Sequence, residues 1–202
     1  IIVPSLVLTA VLVIGGFFYL AIFVFCFALF CLYFFRNPRR YSNADTNSLL
    51  SPADGKIVDI SEVNEQEFFG YKVNRIAIFM SPADVHVNRA PCPGRIKSMK
   101  RVDGKFAMAF GKNAEIKNEK NYILIENGGE RVLVVQIAGF LARRIIPYVK
   151  VDQRVDRGQA VGMIAFGSRV DIYFHKEYEP VVSLHSRVKA GNTILARKKE
   201  VQ

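Results

Sequence analysis

The sequence predicts a mainly β soluble domain, a hairpin-rich sandwich or barrel, behind an N-terminal helical membrane segment. Three observations support this fold class. The first 35 residues contain no charged side chain. From residue 51 onward, short runs rich in β-branched and aromatic residues alternate with Gly, Pro, Asn and Asp. No long stretch with helical periodicity appears after the apolar segment.

The N-terminal segment, residues 1–35, is interpreted as membrane-embedded. One spanning helix needs about 20 residues, and a straight helix of this segment would run to roughly 50 Å. Two arrangements fit: one long tilted helix, or a hairpin of two helices around Gly15 and Gly16, which we favour. Arg36, Arg39 and Arg40 follow directly. By the positive-inside rule they predict an inner (cytoplasmic) membrane protein whose following domain faces the cytoplasm.

The charge of the chain favours an anionic membrane as its partner. With 28 basic and 18 acidic residues the net charge is +10, and a basic residue near an anionic leaflet contributes about 1 kcal/mol. A basic domain also suits nucleic acid, but no nucleic-acid motif is present, so we expect none. The cysteines, Cys26, Cys31 and Cys92, show no pairing pattern, which fits a reducing compartment.

Residues 36–50 are polar and turn-prone after Pro38, which predicts a linker, and residues 51–202 are predicted to form a β-rich domain. Six runs in that domain have strand character: KIVDI, RIAIFM, GRIKSM, YILIE, RVLVVQIAGF and AVGMIAF. One helical turn is expected just before Pro147.

Two pairs of segments in this domain echo each other. RVDRGQAV (154–161) resembles RVKAGNTI (187–194), and PADGKI (52–57) resembles PCPGRI (91–96). The pattern Val-x-x-Gly followed by a strand is typical of hairpins in lipoyl- and biotinyl-type β-domains. Because no exposed Met-Lys hairpin tip accompanies it, we interpret the echoes as lipoyl-like architecture rather than carrier chemistry.

The three histidines limit the choice of an acid or base that titrates near neutral pH. His86 lies between an apolar strand and a proline-rich turn, where a catalytic side chain is well supported; an ordinary edge-strand histidine is the alternative. Asp54, in an Asp-Gly pair, is either a turn residue or a carboxylate that orients His86. His175 and His185 are interpreted as solvated. No spacing of Cys, His and carboxylates predicts a metal site.

Three arginines, Arg89, Arg143 and Arg144, are candidates for binding phosphate or carboxylate, because a guanidinium can hold either group through two hydrogen bonds. The adjacent pair also suits a solvated basic patch. The sequence contains no P-loop, no G-x-G-x-x-G and no G-x-S-x-G.

In the segment GMIAFGSRVD (162–171), an apolar run stops at Gly167 and Ser168. A serine hydroxyl can attack the carbonyl of a preceding glycine, which converts the amide into an ester. Glycine favours this N→O acyl shift because no side chain blocks the attack and a strained backbone is tolerated. A base must take the proton, and donors must stabilise the oxyanion. Elimination would then turn Ser168 into dehydroalanine, which hydrolyses to a pyruvoyl group and ammonia. A plain turn is the alternative.

Six ordered motifs closely resemble the phosphatidylserine decarboxylase family, specifically its short membrane-anchored members with a Gly-Ser cleavage site. They are RNPRR, SPADGKI, FMSPADVHVNRAPCPG, NEKN, QIAGFLARRI and GMIAFGSRVD. The resemblance covers about Phe34 to Ala196, and the ordered set is far more specific than any one motif.

The resemblance implies a pyruvoyl-dependent carboxy-lyase of phospholipid biosynthesis that is made as a zymogen. The chain would cut itself between Gly167 and Ser168 into a β chain, 1–167, and an α chain, 168–202. The first residue of the α chain would become the pyruvoyl group, so no diffusible cofactor is needed. Phosphatidylserine would form a Schiff base with this group, lose CO₂ and leave as phosphatidylethanolamine.

The resemblance also implies that Asp54 and His86 join Ser168 as the self-cleavage triad. His86 would take the proton of Ser168, and Asp54 would set the tautomer of His86. His86 is also the candidate for the later proton donor. Larger members carry HRVH, with a second histidine where this chain has Arg89. If that second histidine is the catalytic one in those relatives, its duty passes in this chain to His86 or to another group. The site reads FGSR rather than LGST, which fits the short subgroup.

Two other functions are open from the residues alone. A non-enzymatic, membrane-anchored lipoyl-like adaptor would explain the echoes and the anchor, but it gives FGSR no role. A pyruvoyl decarboxylase of a soluble amino acid is disfavoured by the anchor. The sequence leaves open whether the chain forms a homo-oligomer.

Overall fold

The computed structural model describes residues 2–42, 44–104, 118–139, 144–164 and 168–199. The chain divides into two compact units, Ile1–Pro38 and Arg39–Gln202. The first contains the helices α1 (Ile2–Ile14) and α2 (Phe18–Phe34), which contact each other and are separated at Gly15 and Gly16. Among the described residues, neither helix combines the length and the apolar character needed to cross a membrane. The membrane segment therefore stays a prediction.

The second unit is mainly β, which confirms the predicted class. Its strands are β1 (Ser48–Leu50), β2 (Gly55–Glu65), β3 (Tyr71–Met80), β4 (Val87–Arg89), β5 (Gly94–Val102), β6 (Lys120–Asn127), β7 (Glu130–Ile137), β8 (Ile145–Pro147), β9 (Arg154–Val155), β10 (Ala160–Ile164), β11 (Ser168–Phe174), β12 (Tyr178–Pro180), β13 (Arg187–Val188) and β14 (Ile194–Lys198). β1 lies inside the predicted linker, 36–50. The helical turn expected before Pro147 is wrong in its described part, because β8 is a strand there.

The strands form three antiparallel sheets in the described part of the chain. One has eight strands in the order β13-β2-β3-β11-β7-β6-β5-β9, and two have three strands each, β1-β14-β12 and β4-β10-β8. Successive side chains of a strand point to opposite faces of a sheet, and the inward ones of all three sheets share one hydrophobic core. Leu49, Ile76, Val134, Ile145 and Val161 are among its members. Whether this architecture is lipoyl-like stays an interpretation.

The sequence echoes mark two copies of one seven-strand arrangement. We call β4–β10 the inner repeat, and β1–β3 together with β11–β14 the outer repeat, because the inner repeat is inserted between β3 and β11. The order of the eight-stranded sheet is symmetric about the β11–β7 pair, so that β13, β2, β3 and β11 correspond to β9, β5, β6 and β7. The two three-stranded sheets correspond in the same way.

Local geometry repeats at the equivalent positions. Each copy has a β-bulge, after Ile57 in the outer repeat and after Ile96 in the inner one. His185 and Asp152 both have left-handed φ values, 69° and 67°. Their N–H groups donate to the carbonyls of Ile57 and Ile96 at 2.9 and 2.8 Å, respectively. The echoes therefore reflect a structural duplication.

The duplication explains the position of Ser168. In the inner repeat, Gly128 and Gly129 connect β6 to β7, which starts at Glu130. In the outer repeat, the equivalent strands β3 and β11 are separated by the whole insertion, and Ser168 starts β11 opposite Met80. The sequence Gly-Ser-Arg-Val (167–170) thus corresponds to Gly-Glu-Arg-Val (129–132). Ser168 stands where the chain returns from the insertion.

Candidate active site

Ser168 is completely buried at the first position of β11. The strand pairs with β3 on one side and with β7 on the other, where Arg169 lies opposite Ile137. The Ser168 hydroxyl donates to Met80 Sδ at 3.4 Å. Because a thioether is a weak acceptor, this contact orients the hydroxyl without holding its proton firmly. Gly167, the other half of the predicted scissile bond, lies outside the described residues.

His86 is also completely buried and lies one residue before β4. Its backbone carbonyl accepts from the N–H of Ile164, the last residue of β10, at 3.3 Å. Its ring Nδ1 lies 2.9 Å from the carbonyl oxygen of Asp84. A carbonyl can only accept, so Nδ1 carries a proton and Nε2 is the basic nitrogen of the neutral ring. The pairing of β4 with β10 therefore places His86 beside the end of β10.

Asp54 is buried and binds two groups, one that precedes β1 and one that follows β13. Its Oδ2 accepts from Arg40 Nη2 at 2.8 Å, and its Oδ1 accepts from the backbone N–H of Ala190 at 2.7 Å. Arg40, which the sequence suggested as a membrane-proximal charge, is thus the cation that compensates this carboxylate. The partner of His86 Nδ1 in the structure is the backbone carbonyl of Asp84. The triad of Asp54, His86 and Ser168 stays a prediction.

The three candidate arginines differ in their surroundings. Arg89 is buried, and its Nη1 donates to the carbonyl of Gly158 at 2.7 Å. Burial lowers the pKa of Arg89, as does the positive charge of Arg40, although a guanidinium stays protonated near neutral pH. Arg144 is exposed just before β8, and Arg143 lies outside the described residues. Their roles toward a substrate stay predictions.

A chain of buried amides leads from the sheet interior to the neighbourhood of Ser168. Asn121 Nδ2 donates to Gln136 Oε1 at 2.9 Å, and Gln136 Nε2 donates to Asn88 Oδ1 at 2.7 Å. This order of donors turns Asn88 Nδ2 toward Met80 Sδ, which lies 3.6 Å away. The sulfur that accepts from Ser168 therefore also receives an amide N–H.

Sequence reasoning missed these amides, although a signal was present. Gln136 interrupts an otherwise apolar run on β7, and Asn88 lies two residues after His86. A polar side chain buried inside an apolar strand needs a partner, and the partners lie on other strands. Gly162 on β10 makes room for the chain, because a Cβ there would lie 2.9 Å from Gln136 Nε2.

The charged residues that follow Ser168 pair with each other. Arg169 Nε donates to Asp171 Oδ1 at 2.6 Å and Arg169 Nη2 to Asp171 Oδ2 at 2.8 Å. Both side chains are buried, and a bidentate pair offsets part of the cost of removing two charges from water. Arg169 and Asp171 therefore compensate each other's charge in the protein interior.

The other reactive side chains are less suited to nucleophilic chemistry. Burial raises the pKa of the Cys92 thiol to about 12, so the thiolate is scarce near neutral pH. His185 is exposed and His175 is partly so. Among the described residues, no group of three or more His, Cys, Asp or Glu side chains could hold a metal ion.

The chain is similar to proteins of one family over most of its length. The family model described as "Phosphatidylserine decarboxylase" matches residues 27–196. A phosphatidylserine decarboxylase proenzyme of Carboxydothermus hydrogenoformans is 46% identical over 181 residues, which cover 89% of this chain and 85% of the relative. Proenzymes of the same name from Syntrophotalea carbinolica and Pelagibacter ubique are 45% and 44% identical, over 83% and 85% of this chain and 78% and 81% of those relatives.

Proposed function

Since the chain belongs to the phosphatidylserine decarboxylase family, we propose that it consumes Ser168 to make its own pyruvoyl group. The enzyme is a carboxy-lyase, and removal of the carboxyl group from phosphatidylserine leaves phosphatidylethanolamine and CO₂. Family membership decides against the non-enzymatic adaptor and against a decarboxylase of a soluble amino acid.

The proposed cleavage starts with attack of the Ser168 hydroxyl oxygen on the carbonyl carbon of Gly167. The new C–O bond forms as the amide C–N bond breaks, and the hydroxyl proton passes through a base to the freed amine. Loss of the Cα proton then breaks the Cβ–Oγ bond of Ser168 and releases the carboxylate that ends the β chain, 1–167. Hydrolysis of the remaining dehydroalanine gives ammonia and the pyruvoyl end of the α chain, 168–202.

The observation that carries this proposal is the burial of Ser168 at the start of a strand that is paired on both sides. The pairs of β11 with β3 and β7 would keep the new chain end in place after the cut. A buried position also suits a ketone that must be shielded from competing reactions in water.

His86 is the base that the geometry supports best. It is the buried histidine, it lies beside the end of β10, and its protonated Nδ1 leaves Nε2 to accept a proton. We propose the same group as the proton donor in decarboxylation, with Asp54 as the carboxylate of the predicted triad.

The residues around Ser168 fit a pyruvoyl group at that position. When present, such a group supplies a carbonyl that binds the substrate amine and withdraws electrons from the bond to the leaving carboxylate. Asn88 Nδ2, oriented by Gln136, is a neutral N–H donor that can hold an oxygen near this end of β11. Arg89, Arg143 and Arg144 stay the candidates for the phosphate or carboxylate of the lipid.

We further propose that the enzyme works at the inner membrane with its β domain facing the cytoplasm. The charge supports this placement, because a net charge of +10 suits an anionic lipid surface. The α and β chains of one precursor are its partners in the mature form.

The state of the Gly167–Ser168 bond tests the proposal. Wild-type chain under denaturing conditions should show two pieces in place of 22.8 kDa, the smaller with roughly one sixth of the mass. The smaller piece should react with hydroxylamine and lack a free amine at its start. Ser168→Ala should stay whole and inactive, and Ser183→Ala, on an exposed loop, should cut normally. An uncut wild-type chain that decarboxylates phosphatidylserine would disprove the pyruvoyl mechanism.

A further inference from the structure

The edge strand β8 and its flanks have an outer face on which two basic side chains flank two large, exposed ones. The inward positions, Ile145 and Val149, belong to the hydrophobic core. Pro147, between them, is exposed, and so are the four residues at the alternate positions, which we call the β8 face: Arg144, Ile146, Tyr148 and Lys150. Ile146 and Tyr148 expose 41% and 47% of their surface. Large side chains so exposed on a strand at a sheet edge call for an explanation.

The duplication shows what the fold itself requires at this edge. β12 is the equivalent of β8 in the outer repeat, and its inward residues Tyr178 and Val182 pack in or against the same core. Its outward positions, however, carry different side chains: Glu177, Glu179, Val181 and Ser183, all exposed. A strand position that accepts glutamate and serine in one repeat does not need isoleucine and lysine in the other. The β8 face is therefore not a folding requirement.

The β8 face borders the segment that leads to Ser168. β8 pairs with β10, and Ile146 lies opposite Met163. The Tyr148 hydroxyl donates to Met163 Sδ at 3.5 Å, which connects this side chain to β10. β10 ends at Ile164, four residues before Ser168. A surface that the β8 face binds would thus lie beside the chain that enters the active site.

The charges of the β8 face indicate which kind of surface it binds. Within the part of the chain that the structure describes, neither Arg144 nor Lys150 has a carboxylate partner. Two cations that flank an isoleucine and a tyrosine match the boundary of an anionic bilayer, where aromatic rings sit at headgroup level and basic residues meet lipid charge. The equivalent face of β12, with two glutamates, would be repelled there.

We propose that the β8 face docks the catalytic domain on an anionic bilayer and so brings the side of the domain formed by β8 and β10 to the lipid headgroups. The proposal rests on the proposed function, because it is the phosphatidylserine in the bilayer that gives the docking its purpose. It assigns membrane contact to a face of the β domain, independently of the apolar N-terminal segment.

A tryptophan reporter tests the contact directly, because the chain contains no Trp. Tyr148→Trp is made in the uncut Ser168→Ala chain, with Val181→Trp, the equivalent exposed position on the β12 side, as the matched control. Both full chains are incorporated into bilayers of phosphatidylserine and phosphatidylcholine, or of phosphatidylcholine alone. We expect a shift of the emission to shorter wavelength, and quenching by brominated lipid, for Trp at 148 in the anionic bilayer only.

Three results of this experiment would overturn the proposal. They are equal shifts at 148 and 181, no shift at 148, and a shift at 148 that needs no lipid and grows with protein concentration. The last would assign the face to a second copy of the chain.

An activity measurement separates docking from chemistry. The double variant Ile146→Glu, Tyr148→Val carries the residues found at the equivalent positions, Glu179 and Val181, so that the fold should tolerate it. It should cut itself normally and turn over a dispersed short-chain phosphatidylserine normally. On vesicles its turnover should fall about tenfold or more, because apolar burial is lost and a repelled charge is gained. Val181→Ser is the control and should match the wild type on both substrates.

The failures of the two proposals are distinguishable. Wild-type turnover of both substrates without cleavage would reject the pyruvoyl mechanism, yet the reporter in the Ser168→Ala chain would still decide the docking. Normal cleavage with equal turnover by the double variant on both substrates would reject the β8 face alone.

Discussion

At the scale of single residues, the Ser168 hydroxyl has a sulfur atom as its acceptor. Asn88 Nδ2 reaches the same Met80 Sδ, so that one thioether joins the hydroxyl to the buried amide chain. A carboxylate or carbonyl acceptor in that place would bind the hydroxyl proton more strongly and would be costly to leave unpaired during attack. A thioether loses little when the hydroxyl turns away. This arrangement suits a serine that must react once.

Gln136 is the member of the amide chain whose loss should have the largest effect. Gln136→Leu removes the partners of both Asn121 and Asn88 in the interior. Each unsatisfied buried group costs about 1–3 kcal/mol, so we expect a clearly lower urea midpoint in the uncut Ser168→Ala chain and slower self-cleavage in the Ser168 chain. Gln66→Leu makes the same change at an exposed position and should alter neither. Unchanged cleavage by Gln136→Leu would show that the amide chain does not position the site.

Cys92 should make the protein less stable at alkaline pH. Burial raises the pKa of its thiol from 9.0 to about 12. Between these values the unfolded thiol loses its proton while the folded one keeps it, so that the free energy of unfolding falls as the pH rises. This group contributes about 1.4 kcal/mol per pH unit above pH 9.

The measurement is urea unfolding of the uncut chain with and without Cys92→Ala at pH 8 and pH 10.5. The difference in stability between the two proteins should shrink at the higher pH, because the remaining alkaline groups are common to both. Parallel stability curves would contradict the assigned burial effect.

The sequence pointed to some residues of the candidate site but not to others, and not to the contacts between them. Ser168 is buried at the start of β11 and His86 is buried beside the end of β10, and their roles stay predictions. The contacts of Asp54 with Arg40 and Ala190 could not be predicted, because they join residues 14 and 136 positions apart. Gln136 and Asn88, 48 positions apart, were missed for the same reason. Motifs reveal residue types, whereas such contacts depend on the complete fold.

At the scale of elements, the duplication allows equivalent positions to be compared within one molecule. Gly158 and Gly191 end the two echoing turns with left-handed φ values of 75° and 68°. A Cβ at either position costs about 1–2 kcal/mol through the backbone. At Gly191 it would also lie 3.0 Å from Arg89 Cδ, whereas at Gly158 the nearest atom would be 3.8 Å away.

Gly191→Ala should therefore destabilise the protein more than Gly158→Ala. Arg89 cannot move aside cheaply, because it is buried and its Nη1 binds the Gly158 carbonyl. Urea midpoints of the two variants in the uncut chain test this order, and each variant is the control of the other. The reverse order would mean that the close contact with Arg89 Cδ does not set the cost of a side chain at Gly191.

Strands were easier to predict than their arrangement. β-branched runs between Gly, Pro and Asn predict strands from local preferences, and all six predicted runs overlap described strands. The order of the eight-stranded sheet places β11 between β3 and β7. In the chain, the whole inner repeat separates β3 from β11, and three strands, β8–β10, separate β7 from β11. In the sequence, only the echoing segments indicated this strand order. The short strands β9 and β13 have too few residues to show periodicity.

At the scale of the whole molecule, the proposed cut divides the outer repeat rather than separating two folded units. The α chain would carry β11–β14, whereas β1–β3 and the entire inner repeat would stay in the β chain. β11 pairs with β3 and β7, β13 with β2, and β14 with β1. The α chain is thus a set of strands whose partners are mostly on the β chain. The proposed cut would change the connectivity of the chain without requiring any described strand pair to separate.

We therefore expect the α and β chains of the mature protein to stay associated in the folded state. After unfolding, refolding should require the two separate chains to meet again. Under native conditions the α and β chains should co-elute even after dilution, because separation would expose β11 and its core side chains Val170, Ile172 and Phe174. In urea, the midpoint of the cut protein should rise with protein concentration, since two chains must meet to refold. The uncut Ser168→Ala chain has the same strands in one covalent piece, and its midpoint should not depend on concentration. If the α chain is lost on native dilution, the strand pairs of β11 do not hold the cut end in place, and the argument that a paired, buried Ser168 can carry a stable pyruvoyl group fails with it.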